Sequence, residues 1–194
     1  MQILYYIGAY FIGNILTGAL LAKSLYKSNI QIQGSGNPGA RNAGRIYGKK
    51  AFVLTFLGDS LKGSLIIIIG RMLQLSELEQ LIGLSFAVIG HIKPILFHFK
   101  GGKGVSTFIG GVITFAPIVI PIIIIGFLLT YPFTKSFTFS GMIALCLIPF
   151  SISYFQSSIA NIWPIAILII ILFFVHSENL LTKIKRLNFF SKSL

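Results

Sequence analysis

The chain has 194 residues, of which 55% are hydrophobic and 10% charged, whereas a soluble domain has about 25% charged residues. This composition excludes an ordinary soluble protein and indicates one integral membrane domain over residues 1–194. A net charge of +12 suggests a nucleic-acid partner in a soluble chain. Here the bases flank apolar runs, so we expect membrane lipid and anionic substrates as partners and no nucleic acid. The single cysteine, Cys146, supports neither a disulfide nor a metal site, and we expect no metal and no cofactor.

Residues 1–25 are apolar and long enough to cross a membrane, which takes roughly 20 residues. No basic stretch precedes them, while Lys23 and Lys27 follow, which is the reverse of a cleavable signal peptide. We therefore predict a single retained first helix with its N-terminus outside. The polar segment 28–50 carries four basic residues and is predicted to be a cytoplasmic loop by the positive-inside rule.

Two glycine-rich basic loops are the most distinctive segments. Residues 34–45 read GSGNPGARNAGR, and residues 91–107 read HIKPILFHFKGGKGVST. Glycines let successive backbone N–H groups turn inward around an anion, and a neighbouring lysine adds a compact positive charge. Either loop alone could equally be a basic turn that anchors two membrane helices. Two such loops on one small apolar chain favour a shared anionic ligand.

Residues 51–73 predict the second helix, which contains Asp59 and Lys62 within GDSLKG. Three residues apart on a helix, these side chains face the same way and can neutralise each other. An ionisable pair inside a membrane is a candidate functional site, but we favour a structural ion pair. An acidic turn at 74–80 and a third helix at 81–99 then return the chain to the cytoplasmic side.

Residues 105–131 are apolar but contain Pro117 and Pro121, and a proline inside a helix removes a hydrogen bond and kinks or breaks it. Two more apolar runs follow at 137–154 and 159–175. One long helix over 105–131 would place the basic C-terminal tail outside. A break near Pro117 gives two short helices of about 13 residues, roughly 20 Å each, which fall short of a hydrocarbon core of about 30 Å.

The distribution of basic residues favours the break. We predict an all-α polytopic fold of seven transmembrane helices, with two short proline-broken ones in the middle and a cytoplasmic C-terminus. This arrangement puts 14 of the 16 basic residues on the cytoplasmic side: Lys23, Lys27, Arg41, Arg45, Lys49, Lys50, Lys93, Lys100, Lys103, Lys135, Lys183, Lys185, Arg186 and Lys192. Only Lys62, in the membrane, and Arg71, near the outer face, are left over.

A third polar cluster, His176 to Asn179, ends the last apolar run, and these two residues share a helical face.

Several familiar sites are excluded by the details of their motifs. GSGNPG follows a membrane helix rather than a strand, and Lys103 is followed by glycine rather than by the Ser or Thr of a Walker A loop. Four acidic residues in the whole chain nearly exclude paired-carboxylate chemistry. The His and Asp five residues apart that are typical of thioester-dependent acyltransferases are also not found.

Four segments together resemble a known family. They are SGNPGARNAGR at 35–45, GDSLKG at 58–63, GHIKPILFHFKGGKGVST at 90–107 and HSEN at 176–179. In order and spacing, the sequence is similar to bacterial acyl-phosphate:glycerol-3-phosphate acyltransferases, integral enzymes of the cell (inner) membrane that act in phospholipid synthesis. The resemblance implies seven helices with an external N-terminus, and transfer of an acyl chain from acyl phosphate to the 1-hydroxyl of glycerol 3-phosphate. The products are lysophosphatidate and inorganic phosphate.

The resemblance also assigns residues. It implies catalytic roles for Arg45, Lys103 and His176, and further substrate contacts from Ser35, Asn37, Gly101, Gly102, Gly104 and Asn179. Arg45 can bind a phosphate bidentately, and Lys103 can offset charge on the oxyanion or the departing phosphate. The attacking hydroxyl can lose its proton to His176 or to a substrate phosphate. With no carboxylate evident to orient the histidine, we favour the phosphate.

The sequence departs from the family pattern at three places. Arg41 stands where threonine is usual, Gly44 where a leucine-like residue is common, and LLTKIKRLNFF replaces the usual basic stretch that ends in Gly and Glu. Both loop positions leave Ser35 and Arg45 in place.

The alternative function is a transporter or channel for an anionic solute, since transporters also use broken helices. The enzyme that makes acyl phosphate is an expected partner of an acyltransferase.

Overall fold

The computed structural model describes the backbone of residues 1–156 and 162–191, and the side chains of residues 1–155 and 162–177. Over these residues helices are the only regular secondary structure, which confirms the predicted all-α fold. Its helices are α1 (Gln2–Gly13), α2 (Thr17–Leu25), α3 (Ala40–Tyr47), α4 (Lys49–Met72), α5 (Glu77–Ile92), α6 (Val105–Phe115), α7 (Val119–Thr134), α8 (Phe137–Gln156) and α9 (Trp163–Ser191).

Several helices have the length and hydropathy of membrane spans. Within the described residues, three segments meet both criteria, namely Lys49–Met72, Glu77–Phe97 and Phe137–Phe155. The bent pair α1 and α2 forms a fourth candidate, and three shorter apolar helices cover Val105–Phe115, Val119–Thr134 and Trp163–Ser177. This pattern fits an integral membrane protein, while the number of seven crossings stays a prediction.

The first apolar segment is not one continuous helix, so that prediction was wrong. It divides into α1 and α2, whose axes differ by 42°, and Leu16 has an extended backbone immediately before α2. Asn14 and Leu16 at the break are fully buried. The prediction of a loop at 28–50 was also incomplete, because this segment contains the helix α3. The last helix continues beyond residue 175 to Ser191.

The predicted break near Pro117 is confirmed. Helix α6 ends at Phe115 and α7 begins at Val119, with Pro121 in the first turn of α7, where its missing N–H removes no intrahelical hydrogen bond. With 11 residues, α6 is only about 16 Å long. Its last carbonyls accept hydrogen bonds from the Arg71 guanidinium, at 2.9 Å from both Thr114 O and Phe115 O. Arg71, which the charge distribution did not place on the cytoplasmic side, therefore caps the end of α6.

Glycines allow the central helices to approach each other closely. A Cβ on Gly63 of α4 would lie 1.9 Å from the Thr107 carbonyl oxygen of α6, and one on Gly110 would lie 2.1 Å from the Ser60 carbonyl oxygen. Helices α1 and α5 meet in the same way, since a Cβ on Gly13 would lie 2.1 Å from Ala87 O. Small residues at helix contacts are typical of membrane proteins, where van der Waals packing holds the helices together.

Replacing Gly63 by alanine is therefore expected to lower the melting temperature in detergent by about 5–10 °C, because backbone atoms of α6 cannot yield locally. Gly8→Ala is the matched control, since nothing lies within 4 Å of a Cβ at that position. The control should melt within about 2 °C of the unsubstituted protein. Equal melting temperatures for the two variants would show that α4 and α6 are packed less closely.

Candidate active site

The first glycine-rich loop is held by a buried asparagine. Asn42, on α3, accepts a hydrogen bond from the Ser35 N–H at 3.0 Å and donates to the Gln33 carbonyl at 3.0 Å. The Ser35 side chain itself is exposed and can therefore reach a ligand. Asn37 accepts from the Gly39 N–H at 2.8 Å and so shapes the turn that begins α3. Gly36 has φ of +73°, which glycine tolerates best.

Helix α3 presents its two arginines one turn apart. Arg41 and Arg45 are four residues apart, so they share a face of the helix. Arg45 is exposed, while Arg41 donates a hydrogen bond to Thr138 Oγ1 at the start of α8. The first loop is thus tied to a helix about 100 residues further along the chain.

The second glycine-rich loop folds back over the end of α5. The Gly102 N–H donates to the His91 carbonyl at 3.0 Å, and a Cβ on Gly101 would lie 2.1 Å from that oxygen. Gly104, with φ of +79°, caps the start of α6. The first N–H groups of a helix lack intrahelical acceptors and bind anions, so Lys103 stands beside a ready anion site.

The two loops are in direct contact. The Gln31 side chain donates from Nε2 to the Lys100 carbonyl at 2.7 Å. Gln31 lies in a short 3-10 turn before the first loop, and Lys100 opens the glycine run of the second. The anion-binding features of both loops therefore belong to one region of the molecule.

His176 has a defined tautomer. Its Nδ1 lies 2.8 Å from the Leu172 carbonyl, which can only accept, so Nδ1 carries the proton and Nε2 of the neutral ring is an acceptor. The positive charges of Lys103 and Arg41 both act on His176, so the three residues lie within the range of electrostatic interaction. The side chain of Asn179 and the diverged segment after it lie outside the described side chains.

Burial lowers the pKa of Lys103, and the positive charge of Arg41 lowers it further. Desolvation disfavours the ammonium form, and a like charge nearby acts in the same direction. A bound phosphate would oppose both effects. An anionic ligand would therefore stabilise the charged form of Lys103.

This electrostatic coupling predicts a change in the pH profile. Arg41→Ala removes one of the two causes that depress the pKa of Lys103, so the alkaline limb of kcat/KM is expected to move to higher pH. Arg41→Lys keeps the positive charge and should leave that limb in place. The measurement is the pH dependence of activity in lipid, corrected for spontaneous donor hydrolysis. An unchanged limb in Arg41→Ala would separate Arg41 from Lys103.

A groove lies beside this cluster, between α3 and the first turns of α4. Its volume is about 370 Å³ and it is lined by Arg41, Gly44, Lys49, Phe52 and Val53. A Cβ on Gly44 would lie 2.8 Å from Phe52 Cβ, so glycine at this position lets α3 approach α4 closely beside the groove. Two basic residues next to apolar walls suit an amphiphile with an anionic head.

Lys103 lies near enough to His176 for its charge to act on the histidine, and three residues that sequence reasoning did not assign belong to the same region. Arg41 joins the cation cluster, Asn42 holds the first loop, and His91 contacts the second. The signal for His91 was its place in GHIKP, and that for Asn42 was its place in SGNPGARNAGR, although neither motif shows which side chain has a structural role. No group of three or more potential metal ligands occurs among the described residues.

Comparisons with known proteins identify the family. Residues 3–186 match the family "Glycerol-3-phosphate acyltransferase". The chain is 40% identical over 178 residues to glycerol-3-phosphate acyltransferase 1 of Bacillus cereus, covering 92% of this chain and 96% of the relative. Its fold is similar to crystal structures of PlsY (YgiH), an integral membrane glycerol 3-phosphate acyltransferase. The glycerol 3-phosphate form gives a TM-score of 0.83 and the lysophosphatidic acid form 0.82, each at 27% identity and over 95% of this chain and 92% of the other. The resemblance read from the motifs is confirmed, and the chain belongs to the glycerol-3-phosphate acyltransferase family.

Proposed function

We propose that this acyltransferase moves an acyl chain from acyl phosphate to the 1-hydroxyl of glycerol 3-phosphate. The observation that supports it is the electrostatic interaction of Lys103 with Arg41 and with His176, at a lysine that lies two residues before the start of α6. Each of the two substrates carries a phosphate group, and the site offers cations and backbone N–H groups that can bind phosphate. The alternative of an anion transporter lacks comparable support, since the family is enzymatic.

Glycerol 3-phosphate is expected to bind through its phosphate to the glycine-rich loop of Gly101, Gly102, Lys103 and Gly104, with Arg45 as a second cation. Guanidinium groups bind phosphate oxygens bidentately, and backbone N–H groups at a helix start add fixed dipoles. Ser35 and Asn179 are proposed to orient the polyol. Asn37 contributes to the site by shaping its turn.

The acyl phosphate is proposed to lie with its chain along the groove lined by Phe52 and Val53 and its phosphate near Arg41 and Lys49. Apolar walls accept methylene groups at roughly 0.8 kcal/mol for each one buried, while the bases neutralise the head. This arrangement aims the reacting carbonyl from the lipid side toward the loops.

In the reaction, the 1-hydroxyl oxygen forms a bond to the acyl carbonyl carbon, and the bond from that carbon to the phosphate oxygen breaks. The departing phosphate keeps the electron pair, and the hydroxyl proton ends on one of its oxygens. Lys103 stabilises the negative charge as it develops. His176 accepts a hydrogen bond from the hydroxyl at Nε2. A third positive charge, on the imidazole, would be unfavourable beside those of Lys103 and Arg41.

We further propose that the enzyme resides in the bacterial inner membrane, with its N-terminus outside and the site loops and C-terminus in the cytoplasm. The support is the asymmetry of basic residues along the sequence. A water-soluble substrate could then reach the loops from the cytoplasm, and an enzyme that makes acyl phosphate would be a natural neighbour.

The test is a transfer assay with purified protein in lipid bilayers. Labelled glycerol 3-phosphate is supplied with acyl phosphate, acyl-CoA or acyl carrier protein in separate reactions. Lysophosphatidate should form from acyl phosphate alone. Product from a thioester would overturn the donor but keep the reaction class. A folded protein that forms no product with any donor would contradict the proposed activity.

A further inference from the structure

Three buried ionisable side chains lie next to the second glycine-rich loop and take no part in the proposed chemistry. Asp59, Lys62 and His91 are exposed by only 1%, 6% and 3%. Lys62 Nζ lies 3.0 Å from Asp59 Oδ1, which confirms the expected ion pair, and 3.0 Å from His91 Nδ1. Burying charges is costly unless every group finds partners, so the other contacts of this cluster are informative.

One end of the cluster caps the break between α1 and α2. Lys62 donates to the carbonyls of Ile15 at 2.6 Å and Gly13 at 3.3 Å, which the helix break leaves without intrahelical donors. Asp59 accepts from the N–H of Thr17, the first residue of α2, at 3.3 Å. The pair therefore satisfies backbone groups on both sides of the break.

The other end of the cluster faces the second glycine-rich loop. An ammonium has only donors, so His91 Nδ1 must be the acceptor and the ring proton of neutral His91 is on Nε2. This Nε2 lies against Gly102, where a Cβ would be 2.0 Å from it. Thr107, in the first turn of α6, also lies 3.5 Å from Nδ1 through its hydroxyl.

The imidazole of His91 is thus fixed at Nδ1 by Lys62 and contacts Gly102, the residue before Lys103. Gly102 is held twice, by the ring and by the hydrogen bond from its N–H to the His91 carbonyl. Glycine at this position is needed because the ring leaves no room for a side chain. The position of Lys103 then depends on a ring whose orientation is set inside the membrane.

We propose that Asp59, Lys62 and His91 form a positioning unit, in which His91 is the positioning residue that holds the Gly101–Gly104 loop in the conformation that presents Lys103 to phosphate. The unit acts through Lys103 and does not touch substrate. Its consequence for binding and turnover rests on the proposed function, whereas its effect on the loop does not.

The first test compares His91→Leu with His91→Gln by hydrogen–deuterium exchange of residues 93–104. Glutamine is long enough to keep a polar group where Nε2 lies against Gly102, and leucine has no polar group. We expect loop exchange at least about 10-fold faster in His91→Leu, with His91→Gln closer to the unsubstituted protein. Unchanged exchange in His91→Leu would overturn the proposal, as would equal acceleration in both variants.

The second test replaces the ion pair as a whole, Asp59→Leu together with Lys62→Met. This change also removes the hydrogen bonds to the break between α1 and α2, so the variant is first shown to be folded by its melting temperature. If the pair served stability alone, this folded double variant would keep loop exchange and activity. The positioning role predicts a folded protein with faster loop exchange. It also predicts a KM for glycerol 3-phosphate raised about 10-fold, with a smaller change in kcat.

The two kinds of failure are distinguishable. An unsubstituted protein that makes no lysophosphatidate contradicts the proposed function, yet leaves the exchange comparison fully interpretable. A protein that makes lysophosphatidate but shows the same loop exchange in His91→Leu contradicts the positioning role alone.

Discussion

Lys103→Ala is expected to lower kcat/KM by at least about 100-fold, which corresponds to about 2.7 kcal/mol of transition-state stabilisation. Lys103 lies two residues before the start of α6, and its charge interacts with Arg41 and His176. Its charge opposes negative charge that grows on the carbonyl oxygen or the departing phosphate. Because this interaction strengthens as the reaction proceeds, kcat should fall as well as kcat/KM.

Lys100→Ala is the matched control for that experiment. Lys100 lies in the same loop and is exposed, and its contact with the first loop is made by its backbone carbonyl. Activity within about twofold of the unsubstituted enzyme is expected, as for most exposed positions. Full activity in Lys103→Ala would remove that lysine from the mechanism, and equal losses in the two variants would point to general electrostatic attraction.

His176→Ala is expected to lower kcat by about 100-fold, whereas His176→Gln should retain roughly a tenth of the activity. The Nδ1 proton is donated to Leu172 O, so Nε2 is the atom that can receive a hydrogen bond from the substrate hydroxyl. A glutamine carbonyl can accept such a bond but cannot take up a proton.

The comparison of the two His176 variants decides where the proton goes. Partial activity in His176→Gln supports transfer to a substrate phosphate, with the histidine as an orienting acceptor. A glutamine variant as inactive as the alanine variant would instead assign general-base catalysis to His176. Steady-state kinetics with saturating acyl phosphate distinguishes these outcomes, provided that both variants melt at the same temperature as the unsubstituted protein.

Features that depend on local composition were predictable from sequence. Proline chemistry gave the break between α6 and α7, and a spacing of three gave the pair of Asp59 and Lys62. Two glycine-rich basic loops on one small apolar chain indicate a shared anion site, which stays a prediction.

Features that depend on distant partners were not predictable. The break at residues 14–16 contains neither proline nor glycine, and it is stabilised by Asp59 and Lys62, which lie more than 40 residues further on. Arg71 was unexplained until its partners on α6 were known. The role of Asn42 likewise depends on a fold that brings Ser35 and Gln33 around it.

Helix α4 caps both broken helices, with Lys62 at the end of α1 and Arg71 at the end of α6. Unpaired carbonyls are costly in lipid, so neither break can be stable there before α4 has arrived. Because α1 is synthesised first, we expect it to wait at the insertion machinery or the bilayer surface until α4 emerges. Assembly of this protein then begins with α4, and a chain truncated before residue 49 should fail to integrate its first segment in the native form.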